Sequence, residues 1–577
     1  MFTRSLVRYA FEPVAQRKFD EILWPICRGK KGVGLAISGG VDSMALAILC
    51  KRVRRFKTPP ITAFIVDHRL RPESTDEAQS VAKYLGQLGI KHKVLTVDWG
   101  GVPEPSKIPN LESAARRMRF QALGRACAAA GIGTLLLAHH ADDQAETVLA
   151  RIHGGYLGTG LTGIQSKMPI GECHGLYGVS KSGYLRHLDA DSSNLPFFVE
   201  SGGVEVHRPL LDFTKSELIA TCTTNCVKWH EDATNADQTL TPRNAIRKLL
   251  QSQLLPAALN SDLLRRLAAH KRSQLTECET TAAAYFRRCP VEIDTNASSV
   301  SFQIHPDIEV QLIREKDCQL IAAILMRKFF SLVEEQSRLA LKDLSRSVGF
   351  VFPAAFGDWQ PDSNTVHIGN VTLVKDPSSQ ENGTDEQKKY LIFSRPVKAP
   401  EQFTQTLLEV TEDNHSTSKE PIWTETKLFH DRWWIKLRYI PANVPVGTTV
   451  VIRFLKQGES LKANQWYARA GPKLLPSGKL RHTIPVIVEI TKVKHPDGVE
   501  GTEERILAFP SVGLSRPDCS KPKLKMGGGT EPEMADDSPW QYTCIYKDID
   551  FHESEHHTRK VGPRKKGTHP FSDVPMF

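Results

Sequence analysis

The amino-acid sequence predicts an α/β fold with a doubly wound parallel sheet in the N-terminal half of the chain. Short apolar strands there alternate with helical segments, which is the pattern of a parallel sheet covered by helices on both faces. The predicted strands are 33–37, 61–66, 91–97 and 134–138, and the predicted helices are 42–53, 74–88 and 111–130. Polar residues follow three of these strands, namely Ser38, Asp67-His68 and His139-His140. Since ligands bind beyond the carboxyl ends of the strands in such sheets, these residues predict a site at that edge.

The rest of the chain divides by composition into further segments. A length of 577 residues suggests two to four domains. Thr214, with Glu217 three residues later, predicts a capped helix over 214–222. Four apolar segments predict strands in the tail, at 433–440, 449–455, 484–490 and 506–512. We expect, in order, an N-terminal segment (1–30), a catalytic domain (31–250) with an insertion (171–204), a helical domain (251–350), a linker (376–425) and a β-rich C-terminal domain with a basic tail (426–577).

Charge and cysteine content bear on the partners and the compartment. Lys and Arg total 75 against 65 for Asp and Glu, and the resulting net charge of +10 suits a polyanionic partner such as nucleic acid, although many soluble proteins share it. The 11 cysteines include no Cys-x-x-Cys pair, which is typical of reduced thiols. Cys222, Cys226 and His230 are spaced as a loose zinc motif without an evident fourth ligand. No apolar run is long enough for a membrane span, so we expect none.

The N-terminal segment has two interpretations. Arg4, Arg8 and Arg17, with no acidic residue before Glu12, are compatible with a mitochondrial presequence. Residues 11–23 predict the first helix of the folded protein equally well.

The loop Ser38-Gly39-Gly40-Val41-Asp42-Ser43 predicts a pyrophosphate site. It joins a strand to a helix, so its glycines allow close backbone approach and the free N–H groups of the helix face the ligand. No lysine follows, which excludes a Walker A loop, and Asp42 instead offers a carboxylate for Mg²⁺ beside phosphate oxygens. A tight turn without function is the alternative. The loop resembles that of the N-type ATP pyrophosphatases, which cleave ATP between the α- and β-phosphates.

A second motif, AHHADDQAETVL at 138–149, follows the fourth strand. Asp143 and Glu146 lie three residues apart and share one helix face, where they could hold a metal or an ammonium group, and solvated charge is the alternative. Further motifs are VDHRLRPES (66–74), NLESAARRMRF (110–120), HRPLLDFTKSEL (207–218), WHEDATNAD (229–237) and RNAIRKLL (243–250). Together they resemble the tRNA(Ile)-lysidine synthetase family over roughly 33–255, and the resemblance does not extend into the C-terminal half.

The resemblance implies a ligase reaction on the wobble cytidine of an isoleucine tRNA with a CAU anticodon. ATP, with Mg²⁺ at Asp42, adenylates the 2-carbonyl oxygen of the cytidine, and the ε-amine of free lysine then displaces AMP to give lysidine. The ATP-binding residues that the resemblance implies are Ser38, Gly39, Gly40, Val41, Asp42, Ser43, His139 and His140.

The same resemblance implies the catalytic residues, which are Asp42, Asp143, Glu146, Arg208 and Arg116. Asp143 and Glu146 match lysine-binding carboxylates, and Arg208 matches an arginine in that lysine site, where it suits the α-carboxylate. Either Arg116 or Arg117 matches an arginine near the adenylate. Because Arg116, Arg117 and Arg119 point in different directions on a helix, we expect only one or two of them to reach the site.

Two other functions stay open at this point. A tRNA thiolase of the same superfamily would commonly use paired cysteines or an iron–sulfur cluster, and the chain has no Cys-x-x-Cys. A catalytically inactive RNA-binding relative is disfavoured by the intact Asp42, Asp143 and Glu146. The long insertions suggest a eukaryotic, fungal-like member that acts on an organellar tRNA, so we expect a mitochondrial protein, with the cytoplasm as the alternative. The sequence does not determine the oligomeric state, and a homodimer is one option.

Overall fold

A computed structural model describes the chain over residues 11–54, 57–100, 108–188, 197–230, 242–252, 255–334, 339–356, 364–376, 388–395, 403–456, 459, 482–494, 500–516, 518–520 and 539–549. The chain divides into two compact units. The first comprises residues 1–181 with 202–276, and the second comprises 182–201 with 277–577.

The first unit is built on a six-stranded sheet of order β3-β2-β1-β4-β8-β5. Its strands are β1 Val33–Ile37, β2 Ile61–Asp67, β3 Lys91–Thr96, β4 Thr134–Leu136, β5 Lys167–Pro169 and β8 Glu205–His207. Five of these strands run parallel, and β5 pairs antiparallel with β8 at the edge. The strand order reverses at β1, which lies between β2 and β4, so a ligand crevice is expected where those strands end. The predicted parallel sheet and its four predicted strands are confirmed.

Helices cover both faces of this sheet. They are α1 Gln16–Cys27, α2 Val41–Lys51, α3 Ser74–Gln87, α4 Leu111–Ala129, α5 Ala141–His153 and α6 Lys215–Thr224. Because side chains alternate along a strand, Ile65 joins a core with α2 and α3 whereas the preceding Phe64 joins a core with α4. The sheet is therefore doubly wound, as the sequence predicts.

Helix α1 brings part of the predicted N-terminal segment into the folded unit. Phe19 and Leu23 are fully buried in the core that also holds α2 and α3. The amide of Val14 donates a 2.9 Å hydrogen bond to Thr221 Oγ1. The interpretation of this segment as the first helix of the folded protein is therefore confirmed in α1, and the expected domain start at residue 31 is too late, because the first unit includes the chain from Val14 onward. Residues 1–10 lie outside the described residues, so the presequence stays a prediction.

The first unit continues into helices after the sheet. Thr214 caps α6, since Glu217 N donates to Thr214 Oγ1 at 3.3 Å and Thr214 N donates to Glu217 Oε2 at 2.7 Å, and the predicted capping box is confirmed. Helices α7 Pro242–Gln251 and α8 Ser261–Arg288 follow, and the residues of α8 from 277 onward belong to the second unit. Ile246 of α7 and Leu264 of α8 share an apolar core with Val148 of α5.

The second unit contains three sheets and three further helices among its described residues. The sheet orders are β11-β12-β13-β10-β9, then β14-β18-β19-β20-β21, then β15-β17-β23-β7-β6 with β16 beside β17 and β22 beside β23. The helices are α9 Pro306–Ile313, α10 Cys318–Ser331 and α11 Ser345–Val351. The strands are β6 Ser180–Leu188, β7 Phe197–Gly203, β9 Val291–Asp294, β10 Ser299–Ile304, β11 Thr365–Ile368, β12 Val371–Lys375, β13 Lys388–Ser394, β14 Gln405–Glu409, β15 Ile422–Trp423, β16 Lys427–Phe429, β17 Trp433–Tyr439, β18 Thr449–Phe454, β19 Pro485–Lys494, β20 Glu500–Phe509, β21 Leu514–Ser515, β22 Cys519–Ser520 and β23 Trp540–Tyr546.

The β-rich C-terminal region is present, but three predicted segments need correction. Strands β9 and β10 lie inside 251–350, so this region is not purely helical. Strands β13, β14 and β15 lie inside 376–425, so this region is not a plain linker. The insertion 171–204 contains β6 and β7, and residues 182–201 belong to the second unit. No helix among the described residues is long and apolar enough to cross a membrane.

Candidate active site

A cavity of about 790 Å³ opens where the strand order of the first sheet reverses. This volume lies within the usual range for small-molecule sites, which is about 300–1,000 Å³. Ser38, His68 and His139 line the cavity, and each directly follows a strand or lies within three residues of its end. Helical residues complete the wall, among them Asp42, Ser43, Arg116, Arg119, Asp143 and Arg247. The site therefore lies at the sheet edge that the sequence predicts.

The loop between β1 and α2 has the geometry of an anion cradle. Gly39 adopts φ +86°, and a Cβ atom there would lie 2.6 Å from Val81 Cγ2, so only glycine fits. Ser43 Oγ donates to the carbonyl of Gly40 at 2.9 Å and accepts from Ser38 N at 3.3 Å. No side chain caps the start of α2, so its first N–H groups remain available to phosphate oxygens.

Asp42 lies in the first turn of α2 and lines the cavity. Its Oδ1 atom is buried and has no hydrogen-bond partner among the described residues, while its Oδ2 atom lies 3.6 Å from His140 Nε2. An orphaned carboxylate oxygen beside a phosphate loop fits Mg²⁺, which proteins commonly hold through one or two carboxylates plus substrate phosphates.

Zinc fits the described residues less well than Mg²⁺. They contain no group of three or more His, Cys, Asp and Glu side chains that could hold a metal ion by themselves. Cys222 is buried with its thiol directed at the carbonyl of Val41, whereas Cys226 is exposed. The spacing of these cysteines with His230 therefore does not produce a zinc site.

The start of α5 packs a histidine among acidic side chains. His140 N donates to Asp143 Oδ2 at 3.0 Å, which closes the helix N-terminus. The buried ring has Asp42, Asp142 and Asp143 carboxylate oxygens within 3.6 Å. Burial disfavours the charged ring, but the surrounding carboxylates outweigh burial and raise the pKa of His140 to about 10. A protonated His140 therefore balances part of the negative charge beside the cavity.

Known proteins are similar to this chain over the region that contains the cavity. The family model described as the PP-loop domain matches residues 11–254. A probable tRNA(Ile)-lysidine synthase from Schizosaccharomyces pombe is 35% identical over 251 residues, which are 43% of this chain and 49% of that protein. The tRNA(Ile)-lysidine synthase of Methylobacterium nodulans is 35% identical over 268 residues, which are 46% of this chain and 66% of that protein. The one of Bradyrhizobium diazoefficiens is 32% identical over 280 residues, which are 48% and 67% of the two chains.

The chain belongs to the tRNA(Ile)-lysidine synthase family. The alignments span about half to two thirds of the length of these three relatives. The PP-loop match ends at residue 254, within the first unit.

Arg208, which the sequence predicts as a site residue, lies behind the cavity wall rather than in it. Arg208 is 7% exposed, donates from Nη1 to the carbonyl of Gln165 at 2.7 Å, and donates from Nε to His139 Nδ1 at 3.3 Å. Burial, followed by the positive charge of Arg116, lowers the pKa of Arg208 to about 10. Among the described residues that line the cavity, His139 is present and Arg208 is not. In this structure Arg208 therefore orients His139.

Helix α4 supplies the arginines that the lysidine synthase resemblance places near the adenylate. Arg116 and Arg119 line the cavity, and their guanidinium carbons lie 4.9 and 5.4 Å from the centroid of the Phe120 ring. Arg116 Nε also lies 3.4 Å from Glu172 Oε1. Arg117 is not among the described lining residues. Of the two alternatives from the sequence, the structure places Arg116 in the site, and it adds Arg119.

The two carboxylates on α5 that the sequence predicts as site residues, Asp143 and Glu146, have different surroundings. Asp143 lines the cavity. Glu146 is buried and accepts two hydrogen bonds from Arg247 of α7, at 2.6 Å and 3.1 Å. Arg247 was not predicted as a site residue, although it lies in the motif RNAIRKLL.

Two further contacts around the cavity were not predicted from the sequence. The carboxylate of Asp67 accepts hydrogen bonds from Arg69 N, Ser74 Oγ and Thr75 Oγ1, at 3.0, 2.8 and 2.8 Å. It thereby fixes the loop after β2, which contributes His68 to the cavity wall. His230 N donates to the carbonyl of Gly39. The remainder of the motif WHEDATNAD, from residue 231, lies outside the described residues.

Proposed function

We propose that this protein is a tRNA(Ile)-lysidine synthetase, an ATP-dependent carbon–nitrogen ligase that converts the wobble cytidine of a CAU-anticodon tRNA(Ile) to lysidine. The observation that carries the proposal is that one cavity is lined by Ser38, Asp42 and Ser43 of the phosphate loop, by Asp143, and by the arginines of α4. A pyrophosphate cradle, an acidic group for an amine and cations for an oxyanion are the three parts that this reaction requires.

The first step is adenylation of the cytidine. The 2-carbonyl oxygen attacks the α-phosphate of ATP, the bond to the bridging oxygen breaks, and pyrophosphate leaves with the bonding electrons. The uncapped N–H groups at the start of α2 bind the leaving pyrophosphate. A Mg²⁺ ion held by Asp42 and phosphate oxygens would offset the charge that develops there.

The second step joins lysine to the activated carbon. The ε-amine attacks C2 of the adenylated cytidine, and AMP departs with the oxygen that was activated. Asp143 lines the cavity, and in this proposal it holds the ε-ammonium and takes the proton that the amine loses before attack. His139, oriented by Arg208, lines the same cavity and contacts the bound substrates.

The tRNA is the polyanionic partner of this site. Arg116 and Arg119 present guanidinium groups at the cavity wall, and both lie near the aromatic ring of Phe120. Guanidinium groups suit phosphate contacts and stacking on an unpaired base of an anticodon loop.

The decisive experiment follows AMP release by the purified protein with ATP, lysine and a CAU-anticodon tRNA. We expect AMP only when both lysine and this tRNA are present, and we expect mass spectrometry to show lysine attached to the wobble cytidine. AMP release at the same rate without lysine would contradict the proposal. A sulfur-containing tRNA product would instead favour a thiolase.

We also propose that the protein acts in mitochondria, on the basis of the arginine-bearing N-terminus and the reduced cysteine pattern. Import of the labelled chain into isolated mitochondria tests this location. Protection of the chain from added protease after import is the expected result, and exclusion from the organelle would favour a cytoplasmic enzyme.

A further inference from the structure

The loop that follows α5 presents an aromatic side chain to solvent. Tyr156 and its neighbour Leu157 are each 60% exposed. The reaction proposed above gives this loop no role, because neither residue is among the described residues that line the cavity. A single exposed apolar side chain is common and needs no explanation. The backbone, the neighbours and the location of Tyr156 distinguish it from that ordinary case.

Hydrogen bonds of the backbone fix the position of Tyr156. The amide of Tyr156 donates to the carbonyl of Arg151 at 2.9 Å, and the amide of Gly155 donates to the carbonyl of Ile152 at 3.1 Å. Gly155 has φ +74°. Two such hydrogen bonds around a left-handed glycine form the Schellman motif, which ends a helix. The Tyr156 side chain therefore starts from a defined backbone position although it is largely exposed.

Two glycines leave room for the tyrosine side chain. A Cβ atom on Gly154 would lie 2.8 Å from Tyr156 Cε2, and a Cβ atom on Gly160 would lie 2.9 Å from Tyr156 Cβ. Both distances are too short for a real contact, so a larger residue at either position would displace the tyrosine. The ring thus lies against bare backbone at Gly154, while the residue as a whole stays open to solvent.

The charges around Tyr156 suit a polyanion. The guanidinium carbon of Arg151 lies 5.5 Å from the centroid of the Tyr156 ring, which is within cation–π distance. No aspartate or glutamate occurs in the sequence between Glu146 and Glu172. An exposed aromatic ring beside an arginine is the combination that binds unpaired nucleotides, because the ring stacks on a base and the guanidinium group pairs with a phosphate.

Helix α5 connects this loop to the active site. Asp143, in the first turn of the helix, lines the cavity, and Arg151 follows eight residues later. At 1.5 Å per residue the two positions are about 12 Å apart along the helix axis. Stacked bases of one strand are about 3.4 Å apart, so this distance corresponds to roughly three or four nucleotides. An anticodon loop whose wobble cytidine enters the cavity can therefore place another of its bases at Tyr156.

We propose that Tyr156 and Arg151 form a binding platform for an unpaired nucleotide of the anticodon loop, outside the wobble position. The Tyr156 ring stacks on the base, and Arg151 pairs with an adjacent phosphate. The inference rests on the proposed function, because it takes the RNA at Tyr156 to be the one whose cytidine is modified. Since every base has a stacking face, the platform contributes affinity and orientation of the RNA rather than recognition of one base.

The experiment measures the binding of a CAU-anticodon stem-loop RNA to the full chain, without ATP or lysine. We expect Tyr156→Ala to weaken binding by about 5–150-fold, the usual effect of removing one aromatic stacking partner. Tyr156→Phe and Tyr156→Trp should keep the parent affinity, whereas Tyr156→Leu should bind as weakly as Tyr156→Ala, because stacking requires an aromatic ring. Equal affinities in the parent and Tyr156→Ala, or full affinity in Tyr156→Leu, would overturn the proposal.

Abasic nucleotides, introduced one at a time into the loop of the RNA, identify the stacked base. One position other than the wobble cytidine should weaken binding to the parent protein and leave binding to Tyr156→Ala unchanged, because both changes remove the same contact. If every abasic loss adds in full to the loss in Tyr156→Ala, the ring stacks on no base of this loop and the proposal fails.

A second exposed aromatic residue provides the matched control. Trp24 on α1 is 42% exposed, and the guanidinium carbon of Arg28 lies 5.9 Å from the centroid of its ring. Trp24→Ala should keep the parent affinity for the stem-loop, and a loss equal to that of Tyr156→Ala would contradict a specific platform. Arg151→Gln should reduce the dependence of affinity on salt by about one phosphate contact. An unchanged salt dependence would exclude the contact between Arg151 and phosphate.

The affinity for ATP separates a lost RNA contact from a damaged fold. Tyr156→Ala should bind ATP as tightly as the parent, since Tyr156 is not among the described residues that line the cavity. The proposed function fails separately, if the parent protein binds the stem-loop but forms no lysidine on the whole tRNA. The comparison of the Tyr156 variants then still decides whether the ring stacks on RNA. Normal lysidine formation with an unchanged Michaelis constant for tRNA in Tyr156→Ala would reject the platform alone.

Discussion

The backbone N–H of His230 donates a 3.0 Å hydrogen bond to the carbonyl of Gly39. A segment that follows α6 therefore fixes one peptide of the phosphate loop, nearly two hundred residues away in the chain. His230 Nε2 also lies 3.5 Å from Ser80 Oγ of α3. The loop is thus held between its own helix and two other parts of the first unit, which explains why its unusual backbone conformation is stable.

Replacement of Gly39 should damage both folding and catalysis. At φ +86° an L-residue is strained by about 1–2 kcal/mol, and the added Cβ would also lie 2.6 Å from Val81 Cγ2. We expect Gly39→Ala to lower the free energy of unfolding by at least that amount, measured by urea denaturation. Gly40→Ala is the matched control, because Gly40 has φ −72° and the closest atom to an added Cβ is Ser38 Oγ at 3.7 Å. Equal unfolding midpoints for the two variants would contradict this explanation.

Asp42→Asn should abolish turnover without unfolding the protein. The substitution keeps the size of the side chain but removes the charge of an oxygen that is buried without a partner among the described residues. We expect pyrophosphate release to fall by about 10²-fold or more, since charge stabilisation at a leaving phosphate is lost. The affinity for tRNA should change little. Asp76→Asn, an exposed change on α3, is the control, and an unchanged rate in Asp42→Asn would exclude the magnesium role.

The Asp67 carboxylate should make the fold sensitive to acid. Burial alone would raise its pKa, but hydrogen bonds from Ser74, Thr75 and the Arg69 amide lower it below the usual value. A carboxylate with a folded pKa below its unfolded pKa stabilises the protein above the unfolded pKa of about 4, and that stabilisation is lost as the pH falls through the folded value.

Asp67→Asn should therefore lower the free energy of unfolding at pH 7 by about 1–2 kcal/mol, the cost of weakening hydrogen bonds to a charged acceptor. The difference from the parent should shrink when urea denaturation is repeated between pH 5 and pH 3. A difference that is constant over this range would show that the charge of Asp67 contributes nothing.

Arg208→Ala should remove the contact that orients His139 and should also lower the stability of the protein. It removes a buried cation that donates to the carbonyl of Gln165 and to His139 Nδ1. We expect the free energy of unfolding to fall by about 1–3 kcal/mol, because the carbonyl of Gln165 loses a charged donor. Direct binding of the lysine carboxylate by Arg208 would appear differently, as a large rise in the Michaelis constant for lysine with little change in stability. The kinetic defect of His139→Asn, compared with that of Arg208→Ala, shows how much of the latter results from the lost orientation of the imidazole.

The elements that the sequence predicted well are those with a local cause. Thr214 and Glu217 form their capping box within about one helical turn, so the segment 214–217 contains the whole interaction. The positions of Ser38, His68 and His139 at strand ends follow from alternating strands and helices, and the rule for parallel sheets then brings them together.

Contacts between distant residues were not predictable in this way. Glu146 and Arg247 are 101 positions apart, and no local pattern shows that they form a pair. The motif predicts Arg208 as a site residue. Its side chain is instead buried behind the cavity wall, where it donates to the carbonyl of Gln165. Strand β9 has only four residues, and it occurs in a region whose composition favours helices, so the helical pattern dominated the prediction.

The placement of residues 182–201 in the second unit has a consequence for synthesis on the ribosome. Arg186, in β6, pairs with Asp548, which is translated 362 residues later. At a typical translation rate of 5–20 residues per second, β6 and β7 are synthesised about 20 to 70 s before Asp548. During that interval the edge of β7 that pairs with β23 at Val199 lacks its partner, so a nascent chain stalled before residue 540 should bind chaperones at this edge and release them once β23 has emerged.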